Sequence, residues 1–178
     1  FTQVSNGDDA MKELKTNRYE LIICMPNMDN SEVFELSKKI KETYPEIPIV
    51  ILTPFSKEVT KILEKEDLTG VDYVFSWLGD TDLLLAIIKL IEDRMNVEHD
   101  VKTVGVQTIM VVEDSVRFYS SMLPMLYKFV LYESKEFSKE ALNDHLRMLR
   151  MRGRPKILLA RNYEEAVELY SKYGDNML

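Results

Sequence analysis

One cysteine, Cys24, stands alone among 178 residues, which excludes an internal disulfide and is consistent with a reducing cytosol. No apolar run approaches the length that spans a membrane, and no signal peptide is visible. The expected location is therefore cytoplasmic, with no membrane partner. Positive charge is in deficit: 23 Lys and Arg face 30 Asp and Glu, and the formal charge of −7 argues against a general nucleic-acid binder. A starting methionine is also missing, so the chain beginning at Phe1 is treated as a fragment. What is present is an ordinary globular composition, 46% hydrophobic and 30% charged, with material for one large domain or two small ones.

The most informative stretch is Ile109-Met110-Val111-Val112-Glu113-Asp114-Ser115. A short apolar run of this kind suits a strand buried on both faces, as in parallel sheets. Two carboxylates at its end, Glu113 and Asp114, stand where open α/β sheets bind ligands. They suit Mg²⁺, which takes one or two carboxylates and keeps several waters. The structural alternative is that Asp114 or Ser115 caps the following helix.

Around this strand, helices and strands alternate. The first helix ends near Asn17, and a strand covers Tyr19 to Cys24. Helix Ser31–Thr43, strand Ile47–Thr53, helix Lys57–Lys65, strand Val71–Phe75 and helix Thr81–Arg94 follow. Residues 96–107 lose apolar periodicity and read as a linker. After the acid-tipped strand Thr108–Glu113 come helices Val116–Tyr132 and Ser138–Met151, strand Lys156–Arg161 and helix Tyr163–Tyr173. Such alternation predicts a parallel sheet with helices on both faces. Residues Val4–Leu14 and Leu159–Leu169 also share a strand–Asn–acidic–Ala–helix plan.

The order Asn6-Gly7-Asp8-Asp9-Ala10, Met25-Pro26-Asn27-Met28-Asp29, Pro48 to Thr53 and Gly70-Val71-Asp72-Tyr73 resembles the receiver domain of two-component response regulators. Val111 to Ser115 resembles the opening of a second receiver. The runs Phe75–Asp80, Leu83–Asp93, Asn96–Val106 and Arg117–Ser120 are similar to the tandem receiver region that precedes a phosphoenolpyruvate-synthase-like module in large bacterial proteins. This resemblance implies an α/β fold, a doubly wound, five-stranded parallel sheet of flavodoxin-like order 2-1-3-4-5. It divides the chain into a degenerate receiver-like unit at 1–95 without its first strand and helix, a linker at 96–107, and the N-terminal half of a second unit with a helical insertion at 108–178. The first unit then lacks its central strand. The two fragments are expected to complete one sheet in the order 156–161, 108–113, 19–24, 47–53, 71–76, within one chain or by strand exchange in a homodimer.

The resemblance also implies chemistry. Receivers carry a phosphoryl group on an aspartate after the third strand, with Mg²⁺ on an acid pair after the first. A Thr or Ser after the fourth strand and a Lys after the fifth contact the phosphoryl oxygens, because a metaphosphate-like transition state requires cation and donors in place. Four residues before Pro26, the acceptor position falls on Ile22, which has no nucleophile. Thr53 takes the hydroxyl position, and the lysine position falls on Ser76, or on Trp77 with a one-residue slip. Asp29 lies too far along the loop to replace the acceptor. The first unit is thus expected to be a pseudo-receiver and not an enzyme, acting through contact with its own downstream domains or a histidine kinase. Glu113 and Asp114 form the candidate Mg²⁺ pair of the second unit. The alternative is a phosphorylation-competent, Mg²⁺-dependent receiver whose acceptor aspartate lies beyond residue 178.

Three weaker signals remain. His99-Asp100-Val101-Lys102-Thr103-Val104 resembles the phosphoacceptor box of histidine kinases with valine for proline, but the β-strand close behind it favours a solvated linker. Arg147, Arg150, Arg152, Arg154 and Lys156 read as a solvated helix C-terminus, where cations suit the macrodipole, with docking on an acidic partner domain as the alternative. Trp77 reads as a core residue in preference to an exposed binding anchor.

Overall fold

The computed structural model of the chain describes residues 1–26, 32–54, 67–77, 79–139 and 153–178, the side chains of 137–139 excepted. The helix expected over 57–65, and nearly all of the one expected over 138–151, lie outside the described residues. The chain divides into two compact units, Phe1–Gly79 and Asp80–Leu178.

Unit 1 contains α1 (Gly7–Thr16), β1 (Ile22–Cys24), α2 (Glu32–Thr43), β2 (Ile49–Pro54) and β3 (Tyr73–Trp77). Asn6 starts α1 by accepting the Asp9 N–H at 2.9 Å, while Asp8 and Asp9 place negative charge at the positive end of the helix dipole. The strands are parallel in the order β1-β2-β3. Ile49, Val50, Ile51 and Leu52 are buried in succession, as a strand covered on both faces requires. On one face Leu14, Ile40 and Ile49 form a cluster joined by Met11, Ile22, Leu36 and Tyr44, which docks α1 and α2. Asp72 fixes the start of β2, accepting the Ile49 N–H at 2.8 Å and pairing with Lys41 Nζ at 2.7 Å.

Unit 2 contains α3 (Asp82–Val104), β4 (Thr108–Val112), α4 (Val116–Lys139), β5 (Lys156–Ala160) and α5 (Tyr163–Tyr173), followed by a 3-10 turn at Gly174–Asn176. β4 and β5 pair in parallel, Thr108 opposite Lys156 and Val112 opposite Ala160. On the other edge of β4, Thr108 bridges Met177 in parallel, and the Leu178 N–H donates to the Thr108 carbonyl at 2.9 Å. Asn162 caps α5 through the Glu165 N–H at 2.8 Å, repeating what Asn6 does for α1. The internal echo in the sequence is thus one N-capping solution used twice.

Two expectations are corrected. The five strands do not form one sheet: they lie in a three-stranded sheet, β1-β2-β3, and a two-stranded sheet, β4-β5. The expectation paired strand 19–24 with strand 108–113, yet β1 bonds to β2 and the free edge of β4 is met by Met177 and Leu178. The linker expected over 96–107 is mostly helix, because α3 runs unbroken to Val104. Val97, Val101 and Val104 recur at helical spacing, Val97 buried and Val104 exposed, and Lys102 pairs with Glu98 at 2.6 Å one turn back. Gly105, at φ 70°, ends the helix in the left-handed conformation and donates its N–H to the Val101 carbonyl at 3.0 Å.

Candidate functional site

The carboxyl end of the unit 1 sheet is where receiver chemistry would sit. Thr53 and Ser76 are register partners there, so their buried side chains lie on the same sheet face. The expected hydroxyl and lysine positions are therefore brought together. Ile22 is not: it opens β1 opposite Ile49, four rungs below Thr53, and carrying the same register forward sets Pro26 at the Thr53 level. Cys24-Met25-Pro26 thus occupies the end of β1, and none of these residues carries a carboxylate. Burial pushes the Cys24 thiol up to about 11, which keeps it a protonated thiol and a poor nucleophile at neutral pH. Trp77 closes β3 level with Pro54 and is half-buried. Asp29 lies outside the described residues.

In unit 2, Glu113 and Asp114 follow directly on β4, as the sequence indicates. The Glu113 N–H continues the ladder to the Ala160 carbonyl at 3.0 Å, and its carboxylate accepts the Ser115 N–H at 2.9 Å. One oxygen of Glu113 therefore organises the entry to α4, while Asp114 is exposed. At the neighbouring strand end, Glu165 draws in Arg161, accepting from its backbone N–H at 2.8 Å and from Nη2 at 2.7 Å. Two adjacent carboxylates beside solvent are a fit to a Mg²⁺ that retains most of its waters. Among the described residues, no group of three or more His, Cys, Asp or Glu is arranged to hold a metal.

The densest polar cluster in unit 2 was not legible as such. Asp93, on the inner face of α3, is fully buried and meets Arg154 through two bonds, to Nη2 at 2.7 Å and Nη1 at 2.9 Å. The same carboxylate accepts Tyr127 Oη and the Ile157 N–H, each at 3.0 Å. The Ile157 N–H is one of those on the outer edge of β5, since the preceding Lys156 N–H points inward to Gln107 at 2.9 Å. Asp93 thus pays off an edge-strand donor that would otherwise be buried without a partner. Arg154 also stacks over the Tyr127 ring, 5.8 Å from its centroid. Lys156 is buried as well and pairs with Asp100 at 2.8 Å. The reading of Arg154 and Lys156 as a solvated helix end is therefore corrected, because unit 2 supplies two acids to neutralise them. Arg147, Arg150 and Arg152 lie outside the described residues.

His99 sits on α3 with its side chain exposed, Nδ1 3.3 Å from Asp100 Oδ1, and the linker assigned to it is helix. Burial opposes ionisation of Asp100, but hydrogen bonds from Lys156 and His99 outweigh it and hold its carboxyl below the ordinary value of 3.8. Glu165 is likewise lowered, Arg161 overcoming its partial burial. Groups depressed in the folded state stabilise it above their unfolded values and lose that contribution as pH falls through the folded ones. Denaturant midpoints of the chain are therefore expected to fall steeply below about pH 4, and Asp100→Asn is expected to flatten that slope.

No helix among the described residues is long and apolar enough to cross a membrane. In comparisons with known proteins, no family model matches the chain, and no curated protein and no solved structure matches it.

Proposed function

We propose that the chain is a receiver-like regulatory module of two-component type whose first unit acts by protein–protein contact and without phosphorylation. One observation carries this reading. At the carboxyl end of a parallel sheet, Thr53 and Ser76 stand side by side, and from Ile22, the expected acceptor position, to Pro26 no residue carries a carboxylate. A hydroxyl alone can contact a phosphoryl oxygen, but it supplies neither the nucleophilic carboxylate nor the cation. The α/β units with parallel strands are compatible with this reading. Its outputs would be contacts with the protein's own downstream domains or with a histidine kinase.

A second reading applies to unit 2, favoured by the bridge between Thr108 and Met177. The bridge lies on the edge of β4 away from β5, and a strand continued there would give the 2-1-3 start of a receiver sheet. In that arrangement Glu113 and Asp114 would hold Mg²⁺, with the acceptor aspartate beyond residue 178. Bound Mg²⁺ would supply neutralising charge for phosphoryl oxygens. Within this chain, Glu113 shapes the turn and Asp114 offers the exposed carboxylate.

Residue-resolved NMR separates the two units. Titrated Mg²⁺ is expected to shift the amides of 113–115, and Asp114→Asn to abolish the response. Addition of the phosphoryl mimic beryllofluoride is expected to leave Thr53 and Ser76 unmoved. Saturable shifts at those two residues would overturn the silent first unit.

A further inference from the structure

We propose that the outward face of α4 pairs two copies of this chain, helix against helix and antiparallel. The inner face of α4 is already occupied: Tyr119, Leu123, Tyr127 and Val130 are buried. Its outer face is not polar, as a solvated helix requires. Phe118, Met125, Phe129 and Tyr132 are 62%, 66%, 62% and 59% exposed. With half-buried Met122 they fall at intervals of four, three, four and three, the spacing of a coiled-coil seam over two heptads. Single exposed apolar residues are ordinary, but an unbroken stripe of large ones marks an interaction surface.

Area and the self-complementary order of the stripe both point to a second copy as the occupant. Four large side chains, each offering about 120 Å², give about 500 Å² per chain and roughly 1,000 Å² for a pair, the level at which specific interfaces begin. Antiparallel pairing about a two-fold axis sets Phe118 against the partner copy's Phe129, and Met122 against the partner copy's Met125. The four layers from Phe118 to Phe129 are then apolar, the outer two of them aromatic pairs, and Tyr132 lies over the partner copy's Ser115. The inference uses only the surface of α4 and does not rest on the receiver reading.

Sedimentation equilibrium and light scattering on the 178-residue chain test it. A dimer is expected, and Phe129→Lys is expected to raise its dissociation constant about a hundredfold or more, since the substitution enters the interface twice. Tyr163→Lys, on the exposed side of α5, is expected to leave the dimer intact, with circular dichroism unchanged in both variants. When Phe118→Cys and Phe129→Cys chains are mixed and oxidised with diamide, which takes up the two electrons and two protons, a disulfide between them is expected. A monomer at all concentrations, a dimer indifferent to Phe129→Lys, or cross-links only between like positions would each overturn the proposal.

Discussion

Asp93→Ala is expected to destabilise unit 2 by about 3–5 kcal/mol, the range for removing one partner of a buried ion pair. The substitution strands the buried Arg154 guanidinium, the Tyr127 hydroxyl and the outward Ile157 N–H together. Against a typical domain stability of about 5–15 kcal/mol, most of unit 2 is put at risk, and the melting temperature should fall by on the order of 20 °C. The partner substitution Arg154→Met should be costly too, because it takes two hydrogen bonds from the fully buried Asp93 carboxyl group. The double change Asp93→Leu with Arg154→Met should recover part of the loss, since apolar replacement of a whole buried pair is often tolerated. A double-mutant cycle should therefore show strong coupling between the two. By contrast Lys128 and Asp82, which pair at 3.2 Å in solvent, should show about 0–1 kcal/mol.

Gly70→Ala carries the second large effect, in unit 1. A β-carbon at Gly70 would lie 2.6 Å from the Lys38 backbone nitrogen, 2.7 Å from the Ser37 carbonyl carbon and 2.9 Å from Lys38 Cα. All three are main-chain atoms in the middle of α2, so no side chain can swing away. The strand-entry loop must retreat from the helix, loosening the Asp72 bonds to Ile49 and Lys41 two residues on. We expect a loss of about 1–3 kcal/mol or more, read as a lower denaturant midpoint with an unchanged slope. Gly79→Ala offers the contrast: its φ of 85° is strained for alanine, but the surrounding space is open. About 1 kcal/mol is expected there.

How much of this was legible in the sequence follows from which interactions are local. The caps at Asn6 and Asn162, the buried run of β2 and the acid-tipped β4 all declare themselves within a few residues. The second half of α3 was hidden because Glu98, His99, Asp100 and Lys102 dilute the valine spacing, although Gly105 marked its end. Asp93 was unreadable as a buried acid. Its partner Arg154 lies 61 positions away, and only tertiary packing brings them together. Ile22 lies at the start of β1, and the strand ends at Cys24 as the sequence indicates. The sheet order depended on pairing between segments, on which spacing along the chain carries no information.

The central proposal is that unit 1 takes up no phosphoryl group. Its most direct test is the intact mass of the 178-residue chain after incubation with acetyl phosphate and Mg²⁺. An unchanged mass is predicted. One phosphoryl group per chain, mapped to an aspartate within residues 1–79, would contradict it.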